Sequence, residues 1–497
     1  MSKIQKICEK ILRSKGPMLT GELATALLAE TGKDNINAAR QAVYRLSHPI
    51  KKIENISFDD NQKFIFLKEQ EDLGPFRRTL ISKLVEHRTA AGRAILALRA
   101  KKQIFKEHFP IIAGVSHLTL GKNLNSEEVY KQLEENKLII ETIMPNEKVV
   151  ISVAGDETAT IFSFEILNAI EKLILEMCKE WALRIGFGST NKLKTKNEEL
   201  PLPDFGFFSW DLCGASYLIG LKTYDEGGEP IPGGFFADVY LKSEELKKGD
   251  LESYLNKVFA LKKQRGSRYL PALIHQGMSL ELIMDLRNIG IMCLEVRSFG
   301  DKKVGELVSE LILLVNNIRS VVGDEEKLSS ILDKMLSKEY GRLLNLPGPL
   351  FMMTVAYLYK HEYSSVVPNE IVASKHGKAE IDVFVRQNHR DIIAIECKGY
   401  KADKRLDMAE IEEWIDTKRP KIIEWYRSVS QAAGYQSLKF QFIISSKFTE
   451  DELKHLRTLA DNAYKQFPVE FLDINYVVGL AKKHKLTKVV EGLKENF

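Results

Sequence analysis

A chain of 497 residues is too long for a single hydrophobic core and should divide into about three or four domains. Its 44% hydrophobic and 28% charged residues are the balance of an ordinary globular protein. No apolar run reaches the ~18 residues that cross a bilayer, and the start MSKIQKICEK lacks the apolar core of a signal peptide, so a cytoplasmic protein with no membrane partner is expected. The net charge of +4 is compatible with a nucleic-acid partner without requiring one, because phosphate binding depends on clustered Lys and Arg. The five cysteines, Cys8, Cys178, Cys213, Cys293 and Cys397, show no CxxC spacing and no His partner, which argues against zinc and against a disulfide framework.

Residues 1–70 open with an amphipathic helix over Ile4 to Leu12, broken at Gly16-Pro17. LTGELATALLAE resumes a helix capped by Thr20, and INAARQAVYRL gives a third from about Asn37. KKIENISF, the turn DDNQ and KFIFLK then form a hairpin. Three short helices and a β-wing are the winged form of the helix-turn-helix, whose third helix enters a major groove. Arg40, Gln41 and Arg45 lie on or near the exposed face of that helix and Lys51 and Lys52 at the wing, which makes them candidate contacts to double-stranded DNA. Winged helices also dock proteins, and exposed arginines are often merely solvated.

Residues 71–200 begin with one long basic helix from Arg77, RRTLISKLVEHRTAAGRAILALRAKKQIFKEHF, followed by SEEVYKQLEENKLIIET and KVVISVA. This is a helical linker or a second winged helix. Its Arg77, Arg78, Arg93, Arg99, Lys101 and Lys102 form a basic segment, although a charged helix face is more often solvated than functional. Thr158 to Leu183 is again helical.

Residues 201–300 read strand SYLIGL, loop DEGGEPIPGG, strand FFADVYL, helix LESYLNKVFALKK, strand RYLPALIHQ, helix SLELIMDLRNIG, strand IMCLEVRSF. A helical stretch over 301–345, with a break at Gly323, leads to the turn Leu346 to Pro349. Residues 346–497 then give helix LFMMTVAYLY, strand IDVFV, strand IIAIECKG, helix EEWIDTKRPKIIEWYRSVSQAAGY, strand KFQFIIS, helix EDELKHLRTLADNAY and strand VEFLDINYV. Both segments run hairpin, helix, strand, helix, strand, an internal repeat of element order.

The chemistry is densest in EIVASKHGKAEIDVFVRQNHRDIIAIECKGY, Glu370 to Tyr400. The apolar runs Ile381 to Val385 and Ile392 to Ile395 flank a polar turn, and with the loop centred on His389, Asp382 faces Glu396. Directly opposed residues share a sheet face with β-carbons about 5 Å apart. Alternation puts Lys398 on that face and turns Cys397 away, leaving its backbone carbonyl near the acids. Two carboxylates that close cost several kcal/mol to bury unless a cation or proton intervenes. Oxygen ligands suit Mg²⁺ or Mn²⁺, and an adjacent ammonium can orient a water or steady charge on phosphorus, so the set fits phosphodiester hydrolysis.

Asp382, followed by Glu396-Cys397-Lys398 on the next strand, resembles the PD-(D/E)XK superfamily of restriction-endonuclease-like nucleases, near its Mrr-like and Holliday-resolvase-like members. The resemblance implies that Asp382, Glu396 and the Cys397 carbonyl bind the metal and that Lys398 handles the attacking water. Many members carry a further Glu on the helix before the hairpin; Leu350 to Tyr359 has none, which leaves Glu339, Glu362 or Glu380 as the substitute. Gln431 and Tyr435 resemble the QxxxY element of the RecB-like branch and, four apart on one helix face, would reach substrate phosphates; a core Tyr with a capping Gln is the alternative. Lys375, His376 and Lys378, in the loop entering the hairpin, are further candidates for DNA contact. In the first copy Asp238 stands in the place of Glu396 and Tyr240 in that of Lys398, with Asp211 or Asp204 for Asp382, so that copy has lost its lysine.

The expectation is an α/β multidomain protein: an N-terminal winged helix-turn-helix, then two restriction-endonuclease-like α/β domains in tandem, the first degenerate. The implied function is a Mg²⁺- or Mn²⁺-dependent DNA endonuclease in restriction or defence against foreign DNA. Its rivals are a non-enzymatic DNA-binding regulator with architectural nuclease-like domains, and an RNA-directed or transposon-end nuclease. A homodimer would pair two single-strand cuts.

Overall fold

The structure is a computed structural model and describes residues 3–32, 35–71, 74–118, 124–144, 148–156, 161–188, 192–197, 201–263, 268–298, 302–316, 347–387, 390–400, 408–464 and 466–497. The chain is mixed α/β with several small sheets. Its contacts divide it into two compact units, 1–158 with 175–295, and 159–174 with 296–497.

The first unit opens with α1 (Lys3–Lys15), β1 (Met18–Leu19), α2 (Thr20–Thr31), α3 (Ile36–Tyr44), β2 (Ile50–Lys52) and β3 (Phe64–Leu67). The strands form an antiparallel sheet of order β1-β3-β2. Cys8, Leu12, Leu23, Leu27, Val43 and Ile65 fill one core against it. Thr20 does not cap α2. The cap is Leu19, whose N–H donates to Glu22 over 2.8 Å, while the Thr20 hydroxyl accepts from Lys63 N over 3.1 Å and ties the helix to β3.

The long basic helix expected from Arg77 is two helices, α4 (Gly74–Glu86) and α5 (Ala90–Lys101). Arg88 takes a positive φ of 47°, and the Thr89 hydroxyl accepts from Gly92 N over 3.0 Å to start α5. The two helices touch at Gly92, where a Cβ would come within 2.1 Å of the Leu84 carbonyl oxygen. β4 (Gln103–Phe105), α6 (Phe109–Ile112), α7 (Ser126–Glu135), β5 (Ile139–Ile143) and β6 (Val149–Val153) follow. Their sheet runs β4-β6-β5, the strand order of the first module over again. The segment therefore has its own antiparallel sheet and is not a helical linker.

After α8 (Ile161–Arg184) come β7 (Lys194–Thr195), a small hairpin of β8 (Asp204–Phe205) and β9 (Phe208–Ser209), and β10 (Leu212–Ser216). A second small hairpin, β11 (Thr223–Tyr224) with β12 (Pro230–Ile231), precedes β13 (Gly233–Tyr240), α9 (Glu252–Lys262), β14 (Tyr269–His275), α10 (Leu280–Asn288) and β15 (Met292–Glu295). The sheet order is β15-β14-β13-β10-β7. SYLIGL is not the strand expected. The paired residues lie upstream at LCGAS, where Gly214 lets the Lys192 carbonyl approach, and Ile219 of SYLIGL is 84% exposed.

The second unit contains α11 (Lys302–Asn316), α12 (Pro347–Lys360), β16 (Ser365–Ser374), β17 (Gly377–Gln387) and β18 (Asp391–Lys398). It continues with α13 (Met408–Glu413), a π-helical turn (Trp414–Lys418), α14 (Arg419–Ala433), β19 (Ser437–Ile444), α15 (Glu450–Tyr464), β20 (Val469–Leu472), α16 (Ile474–Lys483) and α17 (Thr487–Asn496). Gly323, Glu339 and Leu346 lie outside the described residues, as does His389 at the hairpin tip. Two expectations are corrected. SVVPNEIVAS, despite Pro368, is the strand β16 at the sheet edge, where a missing N–H is tolerated. INYV after β20 is helical because the Asp473 carboxylate accepts from Asn475 N over 2.9 Å and caps α16.

This sheet runs β16-β17-β18-β19-β20. β16, β17 and β18 are antiparallel in turn, and β18, β19 and β20 are parallel. The first sheet has the same order and senses, with β7, β10 and β13 antiparallel and β13, β14 and β15 parallel. One face of the second sheet carries Phe384, Ile392, Ala394, Phe440 and Phe442 against Trp414, Ile415, Ile422 and Leu456. The other faces α12, where the Tyr359 hydroxyl donates to Gln441 Oε1 over 2.6 Å.

Candidate active site

The β17–β18 ladder runs from Gln387 opposite Asp391 to Val383 opposite Ile395. One step further, Asp382 faces Glu396. There the ladder changes character: Cys397 N donates to Asp382 Oδ2 over 2.8 Å, so a carboxylate takes the place of a backbone acceptor and is fixed in direction. Glu396 follows Ile392 and Ala394 on the face covered by α14 and is only 4% exposed. Lys398 is on the same face, with Nζ 3.4 Å from Glu396 Oε1. Cys397 is buried with its thiol on the α12 side near Tyr359. Behind Lys398, Ser445 N donates to the Lys398 carbonyl over 3.0 Å and Tyr400 N donates to Ser445 Oγ over 2.7 Å, which holds the strand end in place.

The structure adds a group that the sequence reading missed. Lys418, last residue of the π turn, places Nζ 2.5 Å from Glu396 Oε2 and 3.5 Å from Asp382 Oδ1. Its neighbour Arg419 is wholly buried and donates to the carbonyls of Ala460, Tyr464 and Phe467, which anchors the start of α14. The turn's wider i→i+5 closure aligns Trp414 and Arg419 on the core and leaves Lys418 pointing at the acids. A sequence signal existed. Ile411, Ile415, Lys418 and Ile422 recur at helical spacing, so Lys418 interrupts an apolar stripe.

Burial raises Asp382 above the usual carboxylate range, and the Glu396 charge raises it further, with Lys418 and Lys398 opposing. Burial alone would lower Lys418 and Lys398, but Asp382 and Glu396 outweigh it and hold both above an ordinary lysine. The set is therefore two carboxylates whose repulsion is relieved by ammonium groups. Glu410, which accepts from the Tyr400 hydroxyl over 3.0 Å, adds negative charge near Lys398.

Of the three substitutes for a further Glu, Glu380 is on the Asp382 face of β17 and its charge bears on Lys418. Glu362 is not at the site, being bound to Lys483 over 2.7 Å and to His484. Glu339 lies outside the described residues. The Gln431 side chain does too, and Tyr435 does not share its helix: Gly434 ends α14 with φ 73°, and Tyr435 packs its ring 6.4 Å from that of Trp425. Lys375 and His376 form the β16–β17 turn rather than a loop into the site, and Lys378 is within β17; all three are exposed. At roughly 3.3 Å per residue the turn is about 20 Å along the strand from Asp382.

In the first unit Arg40, Gln41 and Arg45 are exposed, with Arg45 capping α3 rather than lying within it, and Tyr44 is 81% exposed beside them. Lys51 is paired with Glu71 over 2.6 Å, and Lys52 donates to the Tyr44 carbonyl over 2.6 Å. These two lysines, expected at a wing, are thus partly spent on their own chain.

The first sheet carries the same acid pair. One step beyond Leu212 opposite Ala237, Asp211 faces Asp238, and Val239 N donates to Asp211 Oδ2 over 2.8 Å, as Cys397 N does to Asp382. Asp204 is exposed in β8, which settles the partner as Asp211. Lys257 of α9 binds Asp238 over 2.7 Å from the position that Lys418 takes in the second sheet. Two more lysines, Lys101 over 3.0 Å and Lys196 over 2.7 Å, close on Asp211. Burial would raise Asp211, but Lys101 and Lys196 hold it well below the usual carboxylate range. Tyr240, in the place of Lys398, is buried with Lys101 Nζ 5.3 Å from its ring centre.

Compared with known proteins, the chain matches no family model, and no curated protein or solved structure matches it significantly.

The donor set Asp382 and Glu396 fits a hard divalent cation in kind, being a fixed pair of carboxylates whose mutual charge calls for one. Among the described residues no group of three or more His, Cys, Asp or Glu side chains stands ready to hold a metal, so backbone and solvent oxygens would complete the shell.

Proposed function

We propose that this chain is a metal-dependent endonuclease that hydrolyses phosphodiester bonds in double-stranded DNA. The observation that carries the reading is the opposition of Asp382 and Glu396 across β17–β18 with Lys398 on the same face. A Mg²⁺ or Mn²⁺ ion held by those two carboxylates, with the Cys397 carbonyl, would supply Lewis acidity toward a phosphate oxygen. The chain's own part is positional. Cys397 N–H fixes the Asp382 carboxylate, the apolar layer under α14 excludes water from Glu396, and the Lys398 ammonium donates a hydrogen bond that orients the attacking water and offsets the charge building on the phosphoryl oxygens, while the proton the water loses passes to solvent. The preference for duplex DNA comes from the three-helix, three-strand module over residues 3–67, where α3 would present Arg40, Gln41 and Arg45. Cleavage of foreign DNA in restriction or defence is the role that suits such an enzyme, and a homodimer would cut both strands.

One observation favours a second reading, a duplex-binding regulator without activity: the first sheet's acid pair is closed by lysines, and Lys418 stands between the acids of the second. Incubating the protein with matched DNA and RNA duplexes in Mg²⁺ separates these. Cleavage of DNA that is lost in Asp382→Ala, with unchanged circular dichroism, supports the endonuclease; cleavage of RNA in preference redirects the substrate, and binding without cleavage supports the regulator.

A further inference from the structure

The two sheets hold the same acid pair against a lysine from the following helix, yet the two lysines are held differently. Lys257 is wholly buried and, besides Asp238, donates to the carbonyls of Ile111 over 2.8 Å and Ser209 over 2.9 Å, with Nζ 4.0 Å from the Trp210 ring centre. It is a permanent part of the core. Lys418 has one-quarter of its side chain exposed, and its hydrogen bonds run to Glu396 and Asp382. Lys398 contacts Glu396, which leaves Lys418, among the described residues, as the ammonium that spans both acids.

We infer that Lys418 is a tethered counter-ion, held between Asp382 and Glu396 until a divalent ion displaces it, and that the displaced ammonium then serves the substrate phosphate beside Lys398. This rests on the nuclease reading above. Two buried carboxylates without a cation are costly, so a protein that must fold before it meets metal needs an internal substitute. A substitute held by the acids and open to solvent can leave, whereas Lys257, braced by two carbonyls and an indole, cannot. The same contact that keeps the acid pair in place lowers the apparent affinity for metal, since only the fraction of molecules with Lys418 withdrawn can bind it. Displacement also places a second positive charge at the mouth of the site when substrate is to arrive, where it adds to the pull on a phosphodiester.

The test is Mn²⁺ binding followed by electron paramagnetic resonance, for wild type, Lys418→Met, Lys418→Gln and Asp382→Asn, with lysine acetylation of the wild type mapped by mass spectrometry. The inference expects Lys418→Met or Lys418→Gln to bind Mn²⁺ about tenfold more tightly than wild type or better, while plasmid nicking slows. It also expects acetylation of Lys418 in the wild type to rise severalfold on adding Mn²⁺, a result that needs no variant to fold. Equal or weaker binding in the variants, or labelling of Lys418 that ignores Mn²⁺, overturns it. If wild type binds Mn²⁺ and Asp382→Asn does not, that failure leaves the nuclease reading standing; if folded wild type binds no Mn²⁺ at all, both fall.

Discussion

Asp211, Asp238 and Lys257 show what a single residue is worth when water is excluded. Each is buried, and each carboxylate meets at least one ammonium at 2.7 to 3.0 Å. Removing one member of a buried pair strands the other, at a cost of about 3–5 kcal/mol. Lys257→Met should therefore lower the stability of the first unit by that order in urea titrations, while an exposed control such as Lys263→Met changes it by less than about 0.5 kcal/mol. Two buried histidines give a pH signature. Burial pushes His108 down to about 3 and His275 down to about 4, so both are neutral when folded, whereas in the unfolded chain they protonate below about 6.5. Their folded values are depressed, so the unfolded state gains protons first, and stability present above pH 6.5 is lost as pH falls toward 4. Between pH 7 and pH 5 each histidine should account for about 2 kcal/mol of loss. The urea midpoint followed against pH checks this, and the slope should flatten in His108→Asn and His275→Asn.

At the scale of elements, legibility followed the strength of local pattern. The hairpin centred on residue 389 and the alternation that puts Asp382, Glu396 and Lys398 together were readable because β-branched runs leave one register that buries them. β16 was not, because Pro368 and Asn369 break the strand pattern and its place at the sheet edge comes from pairing alone. The long helix from Arg77 hid a break that depends on Thr89 and the positive φ of Arg88, both weak signals within a helix-forming run. Lys418 stands where helical spacing puts it on the buried stripe, but a lone lysine in a charged run reads as a solvated one, and nothing in the composition of WIDTK announces the π turn that aims it at the acids. That turn is held from one side by Arg419. Replacing Arg419 with Met takes a donor from the carbonyls of Ala460, Tyr464 and Phe467; Tyr464 keeps the Phe467 N–H at 2.9 Å, and each group left unsatisfied costs about 1–3 kcal/mol. The variant should melt markedly lower than wild type, and Lys418 should lose its contact with Glu396, visible as acetylation of Lys418 without metal.

For the whole molecule, the chain uses each of two designs twice. Two modules share a three-stranded antiparallel sheet of one order, and two α/β sheets share order, strand senses and the placement of an acid pair. Element order in the sequence suggested the second repetition, but the way the copies diverge did not show. The loss of a lysine at Tyr240 was visible; the gain of Lys101, Lys196 and Lys257 around Asp211 and Asp238 was not, since those lysines come from positions scattered over more than a hundred residues. On the proposed reading this is a division of labour, in which one acid pair is sealed as core and the other serves chemistry. Supercoiled plasmid incubated with wild type and with Lys398→Ala, each with and without Mg²⁺, tests that division most directly. The account predicts nicking by the wild type that needs Mg²⁺ and falls at least about a hundredfold in the variant. A folded wild type that leaves the plasmid intact in Mg²⁺ and Mn²⁺, or a Lys398→Ala protein that nicks as fast as wild type, would contradict it.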